Sequence, residues 1–184
     1  MKSFLVPLLV TLAIQIQASL VVFTPPVLAS AAQGDVGVRA SAIGIITALI
    51  YAVSVASALL PAHVLDRVGA IRVSPLCLLL CSAGMALMTI PHPLAIAIGA
   101  IVVGLGYGAV TPASSTVLAE RVPPAMRAFI FSLKQTGVPI GGALAGALVP
   151  LLIGGFGWQA AALVVALIGI PVILAAQAVQ GGVD

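Results

Sequence analysis

The chain has 184 residues, of which 62% are hydrophobic and only 6% are charged, with a mean hydropathy of +1.31 and a formal net charge of +3. A soluble domain carries about 25% charged residues, so this chain cannot cover its own surface with polar groups. The composition therefore excludes a soluble protein and predicts an all-α polytopic membrane protein. The seven basic residues are scattered between apolar runs and form no patch, which argues against nucleic acid as a partner.

Six apolar runs are long enough to cross a bilayer, which takes about 20 residues of helix. They cover residues 3–30, 40–60, 73–89, 94–118, 129–153 and 159–179, give or take a few at each end, and form one domain, 1–184. The start of the chain also resembles a secretory signal. However, the first run is longer than the 7–15 residues of a signal core, so we expect it to remain as the first span.

The basic residues between the spans predict the orientation of the chain. Six spans place both termini on the same side. That side would hold Lys2, Arg67, Arg72, Arg121 and Arg127, and the opposite side only Arg39. The positive-inside rule then predicts cytoplasmic termini, and we expect an integral multi-pass protein of the bacterial inner membrane.

Four of the six predicted spans carry a weakly polar stripe at helical spacing. One stripe alone would indicate a hydrogen bond between helices, but four in one bundle favour a shared polar cavity. The candidate cavity residues are Gln15, Ser19, Thr47, Tyr51, Tyr107, Thr111, Lys134 and Gln135. The third and sixth spans have almost no such stripe and are predicted to be outer, lipid-facing helices.

Lys134 is the one ionisable residue well inside a predicted span, about 10 Å deeper than Arg127 at 1.5 Å per residue. A lysine at the centre of a membrane helix costs about 2.5–3.5 kcal/mol. Two interpretations remain open: the side chain extends back to the cytoplasmic headgroups, or it attracts an anionic or carbonyl-bearing substrate. No predicted span contains Asp or Glu, so a carboxylate proton relay is not supported.

Glycines at a spacing of four indicate close helix–helix contact in the fourth and fifth spans. The expected packing positions are Gly104, Gly108, Gly137, Gly141, Gly142 and Gly146.

Residues for catalysis or metal binding are sparse. Cys77 and Cys81 lie four apart on one predicted helix, where they cannot form a disulfide with each other and lack further metal ligands. His63 and His92 lie in loops on opposite faces, and neither H-E-x-x-H nor G-x-S-x-G occurs. We therefore expect no catalytic residue, no metal and no cofactor, and a protein that is not an enzyme.

The charged loop at residues 61–72, PAHVLDRVGAIR, resembles the loop between helices two and three of the major facilitator superfamily, whose pattern is roughly G-x-L-x-D-R-x-G-R-R. Asp66, Arg67 and Gly69 match this pattern, while Ala62 replaces the first glycine and Arg72 stands one place late. The runs GLGYGAVTP and SLKQTGVPIGGALAGALVP also resemble the amino-terminal half of such a transporter.

One departure from the family concerns the fourth span. Ala100 stands where the family often has an arginine, which argues against proton coupling through that residue. The first three and the last three spans share a weak sequence similarity. A proline at the end of a span is followed by a glycine in both halves, as Leu60-Pro61 with Gly69 and as Val149-Pro150 with Gly157, which agrees with the three-plus-three repeat of transporters.

The resemblance implies one six-helix bundle, whereas the family's transport unit has two such halves. We therefore expect a half-size secondary transporter that moves a small polar or anionic solute by alternating access, as a parallel homodimer in the lipid bilayer. The resemblance further implies a cytoplasmic conformational gate, formed by Asp66, Arg67, Gly69, Arg72 and Arg127. The alternatives are a second half on another polypeptide, a fragment of a longer chain, and a membrane assembly or regulatory subunit that transports nothing.

Overall fold

The computed structural model describes residues 2–37, 42–59 and 70–180, which are helical almost throughout. The side chains of residues 2, 3, 70–72, 117, 120, 179 and 180 lie outside this description. The helices are α1 (Lys2–Val36), α2 (Ala42–Ala58), α3 (Ala70–Leu87), α4 (Pro93–Arg121), α5 (Arg127–Gln135) and α6 (Gly137–Gln180), with a 3₁₀ turn at Pro124–Met126. The all-α prediction is confirmed for these ranges.

Within the described ranges, three helical segments are long and apolar enough to cross a membrane: Phe4–Val36, Pro93–Thr116 and Pro124–Ala178. Two further apolar helices, Ala42–Ala58 and Val73–Leu87, are shorter. Many large apolar side chains on these helices point outward, including Ile45, Leu151 and Phe156, and lipid is the environment in which such a surface is stable.

Gly157 divides the last helix into two arms. At 44 residues, a straight α6 would be about 66 Å long, twice the ~30 Å thickness of the hydrocarbon core. Gly157 has φ 83° and ψ 167°, a conformation that side chains with a Cβ rarely adopt, and it breaks the helix there. Residues 137–156 and 158–180 then form arms of about 30 and 35 Å. The predicted fifth and sixth spans leave residues 154–158 between them, but within this interval helical geometry is lost at Gly157 alone.

The helix ends differ from the predicted spans at several places. α1 continues to Val36 rather than ending near residue 30. Gln33, Gly34 and Asp35 in this extension are exposed, and a helix need not end where its apolar run does. The predicted fifth span is interrupted at Thr136. Pro139, three residues later, has no backbone N–H for the carbonyl of Gln135, which explains the local break in helical bonding.

α1 lies at the centre of the bundle and contacts all five other helices. Its apolar residues Ile14, Ala18 and Val21 are almost fully buried, and its longest contact is with α6. α3 contributes a buried face as well as an exposed one, and Cys77 and Cys81 on that buried face are both free. A central α1 means that its polar side chains point at protein rather than at lipid.

Candidate functional site

A buried lysine is the centre of the candidate site. Ile130 and Lys134 lie four residues apart on the short helix α5 and both point inward, while Phe129 and Ser132 are exposed. Lys134 is only 1% exposed. Its Nζ atom does not reach toward the end of the helix. It donates hydrogen bonds to the Thr111 carbonyl oxygen and to Ser115 Oγ on α4, each at 3.3 Å.

α1 contributes a glutamine to the same cluster. Thr111 Oγ1 donates to Gln15 Oε1 at 3.4 Å, which connects α4 to α1. Gln15 is 1% exposed, and its Nε2 atom has no hydrogen-bond partner among the residues that the structure describes. Three of the eight predicted cavity residues, Gln15, Thr111 and Lys134, are therefore brought together at the junction of α1, α4 and α5.

Two glycines allow α6 to approach α1 beside this cluster. A Cβ at Gly137 would lie 2.9 Å from the Cβ of Gln15, and one at Gly141 would lie 2.6 Å from both the Ile16 carbonyl oxygen and the Cβ of Ser19. Ser19 is fully buried under Gly141, and its hydroxyl has no partner within the described ranges. Ser19 therefore faces α6 rather than an open cavity.

The tyrosines form a second group one helical turn away. The rings of Tyr51 on α2 and Tyr107 on α4 pack edge to face with centroids 6.4 Å apart. Tyr107 precedes Thr111 by four residues, so both lie on one face of α4. Thr47 is half-buried one turn before Tyr51 on α2, whereas Gln135 is exposed.

The other predicted glycine positions differ in their surroundings. On α4, a Cβ at Gly104 would lie 2.7 Å from the Ile50 carbonyl oxygen, and one at Gly108 would overlap the carbonyl oxygen of Ser54. A Cβ at Gly142 would make an ordinary van der Waals contact with the ring of Phe23, and one at Gly146 would have nothing within 4 Å in the described chain.

The predicted gate falls largely outside the described residues. Asp66, Arg67 and Gly69 lie outside them, and Arg72 is described only as part of the backbone of α3. Arg127 is described: its Nε donates to the Val122 carbonyl oxygen at 3.1 Å and its Nη2 to that of Ala119 at 2.8 Å. It therefore satisfies carbonyl groups at the end of α4, where a positive charge is favourable.

Sequence reasoning missed an acidic residue at the other end of the bundle. Asp35, in the last turn of α1, accepts a 2.7 Å hydrogen bond from Trp158 Nε1 and a 3.5 Å bond from Gln159 Nε2. The partners are separated by 123 residues, and the one sequence signal was an aspartate in a short polar segment opposite the glycine-rich turn. This contact ties the end of α1 to the start of the second arm of α6.

The same end of the bundle contains a cavity of about 70 Å³, lined by apolar side chains of α1 to α4, by Gln33 and by Trp158. Along α1, Asp35 lies 20 residues from Gln15, or about 30 Å. Asp35 is the one acidic residue whose side chain the structure describes. At this distance its charge cannot neutralise that of Lys134.

Comparison with known proteins gives three findings. The family model for the Major Facilitator Superfamily matches residues 8–179. Among 27 matching chains of solved structures, the POT family transporter PepTSo, crystallised in meso, superposes with a TM-score of 0.72 at 13% sequence identity. That match covers 95% of this chain and 37% of PepTSo, so this chain spans little more than a third of its length. No curated protein sequence gives a significant match.

Proposed function

Because the chain belongs to the major facilitator superfamily, we propose that it forms one six-helix half of a secondary transporter. Membership of this family points to a transporter rather than an enzyme. In the proposal, the chain crosses the membrane six times: once with each of α1 to α4 and once with each arm of α6, the first arm being extended by α5. A small polar or anionic solute would bind between two such halves, which rock around it.

The observation that carries the proposal is the buried amine of Lys134. A lysine at this depth costs about 2.5–3.5 kcal/mol, and a carboxylate partner would offset part of that cost. Among the described residues, Nζ instead contacts a carbonyl and a hydroxyl, both uncharged, at 3.3 Å. A side chain that merely avoided lipid would reach for headgroups. An inward-pointing lysine with neutral partners is better explained by a solute that completes its coordination.

The second half of the transporter is proposed to be a second copy of this chain, parallel to the first. The relative PepTSo is much longer than this chain, which accounts for 37% of it, and a cavity between halves needs a second unit. The alternatives are another polypeptide and another part of a longer chain. Purification of a tagged copy together with an untagged one, co-expressed in the same cells, supports the homodimer; recovery of the tagged copy alone argues against it.

In that dimer, the gate would join the two copies across the cytoplasmic side. Arg127 uses two of its five N–H donors at the end of α4, which leaves others for Asp66 of the second copy. Cysteines introduced at positions 66 and 127 should crosslink between chains. A product formed exclusively within one chain would contradict this arrangement.

We also propose that both termini lie in the cytoplasm of a bacterium and that the chain lies in its inner membrane, from the five-to-one distribution of Lys and Arg. In a cysteine-free background, cysteines at positions 3 and 182 should resist an impermeant thiol reagent in intact cells, and one at position 92 should react. Labelling of the terminal positions in intact cells would show that the chain has the opposite orientation.

The transport function is tested with the purified protein in liposomes and a panel of labelled organic acids, amino acids and sugars. We expect uptake of at least one solute. Lys134→Met should reduce uptake by about tenfold or more, since a hydrogen bond to a charged group contributes about 1.5–3 kcal/mol. Ser132→Ala is the control, because Ser132 is exposed on the opposite side of α5 and bonds only within that helix. No uptake by the parent protein would leave the non-transporting assembly subunit as the better reading.

A further inference from the structure

The polar cluster around Lys134 has unused hydrogen-bond donors. Lys134 Nζ carries three N–H groups, and two of them bond to Thr111 and Ser115. The side-chain amide of Gln15 carries two more N–H groups on Nε2, for which the described chain provides no acceptor. The Oε1 atom of the same amide already accepts from Thr111. The cluster therefore offers unused hydrogens and a positive charge.

A second glutamine on α1 shows how this bundle treats a buried amide that only supports the fold. Gln17 is 2% exposed, and its Nε2 donates to the Val165 carbonyl oxygen on α6 at 2.7 Å. Two residues apart on a helix, Gln15 and Gln17 point to nearly opposite sides. Since buried amides in proteins are normally paired, the unpaired Nε2 of Gln15 indicates a missing acceptor beside Lys134.

We propose that the missing acceptor is the carboxylate of the transported solute, bound between Lys134 Nζ and Gln15 Nε2. This inference rests on the proposed transport function and names its substrate class: small organic acids carrying one negative charge. A carboxylate only accepts hydrogen bonds and can accept from both donors at once. A cation would be repelled by Lys134, and a neutral alcohol could accept these hydrogen bonds but would bring no charge to balance that of Lys134.

The exposed residues of α4 mark the side from which the solute arrives. Thr111 is exposed, whereas Gln15 and Lys134 beneath it are buried. The bond from Thr111 Oγ1 holds Gln15 Oε1, which leaves Nε2 of the same amide as the free donor within the described chain. Tyr107 and Tyr51, one turn along, are placed to contact the non-carboxylate part of the solute. Thr111 is therefore a positioning residue for Gln15.

The experiment compares acetate with acetamide, two molecules of the same size that differ in charge, at equal concentration and ionic strength. The measurement is the thermal unfolding midpoint of the purified full chain in detergent. Acetate should raise the midpoint, while acetamide and methylammonium should not. Lys134→Met should raise the acetate concentration needed for half of the maximal shift by about tenfold or more. Gln15→Glu should abolish it without loss of folding, because the new carboxylate occupies the place of the solute's own.

Gln17→Leu is the matched control for Gln15. It should lower the midpoint of unfolding, because it removes the bond to Val165, yet retain the shift caused by acetate. An equal shift with acetate and acetamide, a shift unaffected by Gln15→Glu, or no shift with acetate or any larger monocarboxylate would overturn the proposal.

The outcomes also separate this inference from the transport function. Specific binding of carboxylates without uptake into liposomes would refute transport and leave the site assignment intact. Uptake restricted to neutral or cationic solutes would refute the site assignment and leave the transport function intact.

Discussion

The contact between α3 and the second arm of α6 permits a quantitative test of the fold. Ser82 on α3 is 7% exposed, and its hydroxyl has no hydrogen-bond partner in the described part of the chain. It points at Gly169 on α6, where an added Cβ would overlap the Ser82 oxygen but remain 3.4 Å from the Ser82 Cβ. The steric conflict therefore involves one oxygen atom, which a second substitution can remove.

The expected energies follow from these contacts. Gly169→Ala gains about 1 kcal/mol of helix propensity and loses about 1–3 kcal/mol to overpacking, so it should be neutral or destabilise by up to about 2 kcal/mol. Ser82→Ala removes a buried unpaired hydroxyl, whose desolvation costs about 1–3 kcal/mol, so this variant should be at least as stable as the parent. The double variant avoids the overlap, and it keeps both the gain in helix propensity at residue 169 and the gain from removing the unpaired hydroxyl at residue 82. The coupling energy between the two sites should be about 1–3 kcal/mol in favour of the double variant.

The assay is the free energy of unfolding of the parent, the two single variants and the double variant, by denaturant titration in detergent micelles. Gly146→Ala is the control for helix propensity, because nothing in the described chain lies within 4 Å of its new methyl group. A coupling energy below about 0.5 kcal/mol, the usual scatter for independent sites, would refute the contact between Ser82 and Gly169.

Two further contacts are tested in the same assay, each with a matched control substitution. Gly108→Ala should lower the free energy of unfolding, because about 1–3 kcal/mol of overpacking exceeds the gain in helix propensity. Here Ser54→Ala should not rescue it, since the atom overlapped is the backbone oxygen of Ser54; rescue would contradict the backbone contact. Trp158→Phe removes the 2.7 Å bond to Asp35 and part of a buried ring system, and should cost at least the ~0.5–1.5 kcal/mol of the hydrogen bond. Gln159→Leu, which loses only a 3.5 Å contact to the same carboxylate, should cost less, and equal costs would argue against a strong Trp158 bond.

Part of this architecture was predictable because a membrane requires it. Hydrocarbon demands long apolar helices with their backbone bonds satisfied internally, so the position of each apolar run and the all-α class follow from composition. The depth of Lys134 follows from counting residues along a helix. The charged loop and the glycine-rich runs resemble one family closely enough that its model matches residues 8–179.

The relative rotation of the helices was not predictable from the stripes alone. Lys134 and Gln135 are adjacent and were both predicted to line a cavity; the first is buried inside the bundle and the second is on its surface. Which of them points inward depends on how closely α1 approaches Gly137 and Gly141, and that approach is a property of two helices together. Asp35 and Trp158 were missed for the same reason, since nothing local to either residue indicates the other.

The central position of α1 also has a consequence for biosynthesis. The acceptor of Gln17 is 148 residues further along the chain, on α6. At 5–20 residues per second, roughly 7–30 s pass between synthesis of the glutamine and synthesis of its partner. During that time Gln17 lacks the carbonyl group that it bonds in the finished bundle, and an unsatisfied polar group in lipid is costly. Release of α1 into the bilayer should therefore become more favourable once α6 is made, and a nascent chain arrested before residue 165 should be retained longer at the insertion machinery than the full chain.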